Sequence, residues 1–256
     1  MALQSGVWDG GEGGYVIPKQ LLWRTFWRTY FVGAVFSMRG MQNIGLVYIL
    51  HPVLLHLYGD TPAALQRARH RYLGLYHTHP WWTPAVVGLF VALEERMARG
   101  LVLPASVETF RSTVMFTLSG LGDAFWSGSV VPLWALGGSL LVLHGLYGMA
   151  WGWTLMVLAG VHAFKVITFF QAYTRGLAFL QRLKQWNLIN WAQRIKVANA
   201  VLVALLLAEI LSPFRWGALV AGGFVLLVGA TVGRRIPWRV VFVAALGAVW
   251  IVAYGA

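Results

Sequence analysis

The chain has 256 residues, of which 59% are hydrophobic and 11% charged, and its mean hydropathy is +0.66. Soluble domains carry about 25% charged residues, so the composition excludes an ordinary soluble domain and points to a chain that crosses a membrane several times. The 20 Lys and Arg against 8 Asp and Glu read as basic cytoplasmic loops rather than nucleic-acid binding, and the absence of cysteine excludes disulfides and thiolate metal sites.

The start, MALQSGVWDGGEGGYVIP, is glycine-rich and lacks a basic stretch followed by an apolar run. Residues 1–16 are therefore expected to be a flexible tail and not a cleavable signal peptide. In Ile17 to Phe31, Lys19, Arg24 and Arg28 alternate with Leu21, Leu22, Trp23, Phe26 and Trp27, a mixture suited to a helix lying in the membrane interface. Val32 to Gly59 is apolar but interrupted by RGMQN and Pro52, and predicts a helix buried against protein. A clear helix begins at Asp60–Thr61–Pro62, with either polar residue able to cap it, and carries Arg67, Arg69, His70 and Arg71. HTHPWWTPAVVGLFVALEER then runs from a Pro-bounded turn into a short apolar helix ending at Glu94 and Glu95.

Thr113 to Thr174 predicts one broken or re-entrant element at LSGLGDAFWSG, followed by two spans divided at Met149 and Ala150. A linker from Arg175 to Lys196 holds five basic residues and no acid, which places it inside. Apolar segments at 197–211, 217–232 and 240–254 complete the chain. The fold class is an all-α polytopic membrane protein with an interfacial N-terminal helix, broken helices and about six membrane segments.

Three polar groups stand out against this background. Asp123 lies between Gly120, Gly122 and Gly128, and a charge at membrane depth survives only if it is paired, hydrated or facing a cavity. Pairing to Lys165 for folding alone is the structural alternative. His77, Thr78 and His79 sit in a turn fixed by Pro80 and Pro84, where hydrogen bonding is expected over metal binding, because His70, His77 and His79 lack a nearby carboxylate. Gln42 and Asn43 need partners inside an apolar helix. Glu94 and Glu95, beside Arg96 and Arg99, read as solvated ion pairs. Neither a phosphate-binding G-x-x-x-x-G-K-[ST] loop nor a G-x-S-x-G elbow occurs.

In order, FWRTYF, MQNIGLVYILHPVLLHLYG, HTHPWWTPAVVGLFVALEE and LSGLGDAFWSG resemble the motifs of the IID membrane subunit of the mannose/fructose/sorbose class of the bacterial phosphotransferase system. The resemblance covers residues 17–185, a transport core, and leaves 186–256 as C-terminal transmembrane helices. It implies a multi-pass subunit of the bacterial inner membrane that pairs with a IIC subunit, with three such pairs per assembly. It further implies a hexose substrate, phosphorylated by soluble IIA and IIB proteins, with no catalytic residue, phosphorylated residue, metal or cofactor in this chain. On that basis Gln42, Asn43, His77, Thr78, His79 and Asp123 are expected to line the sugar path. Gly120 and Gly122 would permit a bend, and Glu94 would pair with a basic group of the partner subunit. Arg39-Gly40, His77 and Thr117 to Gly120 depart from the family pattern. These departures frame a second expectation: a non-transporting homologue with a sensory or regulatory role.

Overall fold

The computed structural model describes residues 17–211 and residue 223, and every regular element among them is a helix. α1 (Lys19–Arg28) continues into a 3-10 turn at Thr29–Phe31. Its buried residues Leu22, Thr25, Phe26 and Thr29 recur at helical spacing, while Trp23, Trp27 and Tyr30 on the remaining surface stay exposed. α2 (Asn43–Tyr58) buries Leu46, Ile49, Leu50, Val53 and Leu54 completely. Pro52, expected to interrupt this segment, sits inside a continuous helix. A proline there cannot donate to the carbonyl four residues back, which belongs to Tyr48. Arg28 Nη1 donates to that carbonyl instead at 2.9 Å, and the guanidinium lies 4.5 Å from the Tyr48 ring centroid.

α3 (Pro62–Arg71) begins where expected, with Thr61 extended at the N-cap position and Pro62 in the first turn, although Thr61 makes no side-chain capping bond. α4 (Thr83–Ala98) is buried continuously from Thr83 to Glu95, as a helix apolar on all faces must be. α2 packs against α1, α3 and α4, and α4 against α5 (Pro104–Gly122). The chain then stays helical where a break was expected: an eight-residue π-helix, Asp123–Val130, joins α5 to α6 (Val131–Leu143). The turn before α7 (Tyr147–Arg175) comes at His144–Leu146, ahead of the expected division at Met149, with Gly145 at φ +71°. The basic linker is itself helical, as α8 (Ala178–Gln185) and the start of α9 (Leu188–Leu211), with turns at Gly176 and Asn187, both at positive φ.

Two helical stretches, Thr109–Leu143 and Tyr147–Arg175, are long and apolar enough to cross a membrane. The N-terminal tail and the segments at 217–232 and 240–254 lie outside the described residues. Among the described residues, backbone contacts mark two compact units: 17–125 with Leu158–Ile189, and Trp126–Val157 with 190–211.

The first unit is fastened by a buried carboxylate. Glu94 in α4 is wholly inaccessible. Arg71 holds it through two bonds, Nε to Oε1 at 3.2 Å and Nη2 to Oε2 at 2.7 Å. The hydroxyls of Tyr58 and Tyr72 donate to it at 2.8 and 2.7 Å. Burial, reinforced by the adjacent carboxylate, keeps the Tyr72 hydroxyl protonated far above the usual tyrosine range, so it remains a donor. Arg111 of α5 adds a bond from Nη1 to the Arg71 carbonyl. Glu95, also buried, binds Arg99 at 2.6 Å and Tyr173 of α7 at 2.9 Å. Both carboxylates are thus internal, not solvated, and Glu94 is paired within the chain rather than to a partner, because the last apolar turn of α4 draws both into the core.

α4 also meets α7 at Gly88, where an added Cβ would overlap the Phe169 carbonyl oxygen and stand 3.1 Å from the Ala172 Cβ. Gly88→Ala is expected to destabilise the protein by about 1–3 kcal/mol through overpacking, read as a lower midpoint in thermal unfolding in detergent. Glu94→Ala strands a guanidinium that keeps 20% side-chain exposure. Its expected cost is about 3 kcal/mol, the low end for a broken buried pair, with Glu94→Gln falling between it and the parent in the same assay.

Candidate functional site

Two loops meet at the N-terminal ends of α2 and α4. Met41 adopts φ +54°, uncommon for a residue with a side chain, and its backbone pairs with Ser37 and with Tyr76. Tyr76 donates to the Gly40 carbonyl at 3.1 Å, and Gln42 donates to the Tyr76 carbonyl at 2.9 Å. This stitching lays the Gln42 side chain under the histidine turn, where Oε1 accepts from the Thr78 N–H at 3.4 Å. Gln42 and Thr78 are both buried, Thr78 completely.

His79 follows, half-buried, with Nδ1 accepting from the Trp81 N–H at 3.3 Å. In the neutral ring the proton then sits on Nε2. A Cβ at Gly122 would overlap His79 and crowd the Trp82 ring, so Gly122 serves as a seat for the histidine turn. Asp123 after it has helical dihedrals, φ −62° and ψ −42°, and opens the π-helix, so Gly122 combines close packing against the histidine turn with a place at the change of helix type. Gly120 has open space beside it and no comparable role. Asp123 is exposed, at the first position of the π-helix. Burial holds the His79 imidazole below its ordinary range, Asp123 opposes that shift, and Lys165 adds to it, so three charged or titratable groups share one neighbourhood.

Lys165 of α7 is the functional candidate that sequence reasoning treated only as a possible folding partner of Asp123. It is 8% exposed, and its Nζ lies 4.0 Å from the centre of the Tyr30 ring. It forms no ion pair with a carboxylate among the described residues. Tyr30 in turn shares a 2.6 Å hydrogen bond with His162 Nδ1. The available signal was its isolation: a single cation in the long apolar stretch that also holds Asp123.

The expected lining therefore divides. Gln42 and Thr78 are joined by a hydrogen bond, His79 follows Thr78 in the chain, and Asp123 and Lys165 act on the charge of His79, which makes a polar row of the five. The Thr78 hydroxyl and the Trp82 indole N–H are each buried without a hydrogen-bond partner among the described residues. Asn43 instead serves the fold: its amide donates to the Leu73 carbonyl at 2.6 Å, and its oxygen accepts from Ser37 and from the Ile44 N–H. His77 points away, exposed, with its ring against Phe36 and its N–H on the Met115 sulfur at 3.1 Å. The row offers hydroxyl, indole, amide and imidazole groups with one carboxylate and one ammonium, a set that can hydrogen-bond a polyhydroxylated ligand.

In the second unit the π-helix is anchored on α9. Asn199 donates to the Ser129 carbonyl at 2.9 Å, and the Ser129 hydroxyl donates to the Ala192 carbonyl at 3.2 Å. Beyond it, residues of α6, α7 and α9 line two open clefts of about 390 and 720 Å³, mostly Leu, Val, Ile, Ala, Gly and Trp. Their lining gives a sugar little to bond.

Residues 16–213 match the family described as the PTS system mannose/fructose/sorbose family IID component. The chain is 29% identical over 130 residues to the fructose permease IID component of Bacillus subtilis (strain 168), covering 50% of this chain and 47% of that protein. It is 26% identical over 188 residues to the mannose-specific EIID component of Escherichia coli (strain K12), covering 64% and 65%. It thus spans about half to two thirds of the length of these curated relatives. The fold is that of two solved structures, each 17% identical. One, described as a membrane protein, gives a TM-score of 0.70 over 92% of this chain and 97% of the other. The second, the mannose transporter ManYZ in complex with microcin E492, gives 0.59 over 93% and 98%. The chain is a membrane protein and belongs to the mannose/fructose/sorbose family of phosphotransferase-system IID components.

Proposed function

We propose that this chain pairs with a IIC membrane subunit to move a hexose across the bacterial inner membrane, where soluble IIA and IIB proteins phosphorylate the sugar as it emerges. Three IIC–IID pairs make up the assembly, and each copy of this chain crosses the membrane several times. Family membership supports the reading. The observation that carries it is the row of Gln42, Thr78, His79, Asp123 and Lys165 set among apolar helices. Buried polar groups cost free energy unless they are bonded, and the Thr78 hydroxyl and Trp82 N–H, unpaired among the described residues, are donors that a sugar's hydroxyls can satisfy.

This chain's residues would bind and orient rather than react. The Asp123 carboxylate accepts from sugar hydroxyls, and Gln42 fixes the histidine turn that presents His79. Thr78 and Trp82 are closed over in the described state, so reaching them requires the turn to part from Gly122. That parting is a local form of the alternating access expected of a transport domain.

Co-expressed with its IIC partner, the parent chain is expected to support sugar uptake. Asp123→Asn and Gln42→Ala should each lower uptake about tenfold or more, with normal co-purification of IIC. Parent uptake with both variants unaffected would reject the site. A parent that assembles but moves no sugar would favour the sensory or regulatory homologue suggested by the departures at Arg39-Gly40.

His79 adds a pH signature. Its folded pKa lies below the ordinary 6.5, so at acid pH the unfolded chain binds more protons than the folded one. Stability should be fully present above about pH 6.5 and fall as pH drops below it. His79→Gln should flatten that slope in thermal unfolding measured from pH 8 to 5.

A further inference from the structure

A second polar site lies on the outer surface of α1, α2 and α3. Ile44, Tyr48, His51 and Leu55 follow one another at spacings of four, three and four along α2, which places them on one face. Ile44, Tyr48 and Leu55 are 44%, 49% and 49% exposed. Three arginines converge on the middle of this stripe. Arg69 of α3 places Nη2 3.2 Å from His51 Nδ1. Arg28 of α1 lies over Tyr48, one turn before His51. Arg24 sits one turn before Arg28 on the same side of α1 and is exposed.

None of the three guanidiniums has a carboxylate partner among the described residues. Arg28 spends one N–H on the Tyr48 carbonyl and Arg69 one on His51, which leaves most of their donors unused. Burial of His51, then Arg69, Arg28 and Arg24 in turn, hold its imidazole below its ordinary range, so the ring stays neutral and accepts from Arg69. The result is a concentration of positive charge bordered by apolar side chains.

We propose that Arg24, Arg28 and Arg69 form a binding site for the phosphate of an anionic phospholipid headgroup, with Ile44, Tyr48 and Leu55 against its acyl chain. Guanidinium forks match phosphate oxygens in shape and charge. The apolar stripe running out of the cluster selects a lipid over a soluble anion. Anionic lipids of the cytoplasmic leaflet attract such basic clusters, and the Arg-rich α3 belongs on that side by the distribution of charge. The site rests on membrane placement alone and stands whether or not the chain transports sugar.

Binding to the full-length chain in detergent can be followed by native mass spectrometry and by thermal shift, using phosphatidylglycerol, phosphatidylcholine of the same acyl chains, and inorganic phosphate. The expected result is tighter binding of phosphatidylglycerol than of phosphatidylcholine. Arg24→Gln together with Arg69→Gln should reduce that preference by about tenfold or more, while Arg67→Gln leaves it intact. Arg24→Gln alone, which removes an exposed side chain with no hydrogen bond or ion pair among the described residues, should weaken the preference without lowering the lipid-free unfolding midpoint. Equal binding of the two lipids, or a preference that survives Arg24→Gln and the double variant, would overturn the proposal. Inorganic phosphate binding as strongly as phosphatidylglycerol would overturn the lipid assignment.

Discussion

The first unit depends on one carboxylate placed where water cannot reach it. Glu94 collects a bidentate guanidinium and two phenolic hydroxyls, one from the end of α2 and one from the end of α3. An ion buried without partners would cost several kcal/mol, so the carboxylate is tolerable only when Tyr58, Arg71 and Tyr72 are all in place. That requirement fixes how three helix ends meet. Arg111, reaching from α5 to the Arg71 carbonyl, extends the same constraint to a fourth helix. Glu95 repeats the device one residue on and ties α4 to α7.

The candidate site hangs on this frame. α3 must end at Arg71 for the following residues to turn back along Gly40 to Gln42, and α4 must start at Thr83 for His79 to face Gly122. Between these fixed points the backbone has little freedom. Met41 is held at positive φ by bonds on both sides, a strained conformation that persists only where its surroundings determine it. The polar row is therefore presented by a turn that is anchored in buried charge at its Arg71–Tyr72 end and in the wholly buried start of α4 at the other.

Much of this was legible in the sequence. The apolar run of α4, the Thr-Pro start of α3 and the basic aromatic α1 follow from residue type and spacing, and the four ordered motifs by themselves point to the family. What escaped the reading has physical causes. Pro52 looked like a break because its missing bond is visible in the sequence, whereas its substitute, Arg28, comes from a different helix. Glu94 looked solvated because Arg96 and Arg99 are near in sequence, while its partner Arg71 lies on α3. LSGLGDAFWSG looked broken because glycine weakens helices. There Gly122 admits His79 and Trp82, and the backbone absorbs the irregularity as a π-helix rather than as a gap. Asn43 and His77 were grouped with Gln42 and Thr78 by adjacency in the chain, but neighbouring residues point in different directions.

The setting of Lys165 bears on how the chain is made. A lysine inside a span adds about 2.5–3.5 kcal/mol to the cost of entering the bilayer, a cost that the apolar remainder of α7 must offset. The group that receives its ammonium, the Tyr30 ring, stands in the 3-10 turn after α1, far earlier in the chain. The order of synthesis supplies the receptor before the charge that needs it.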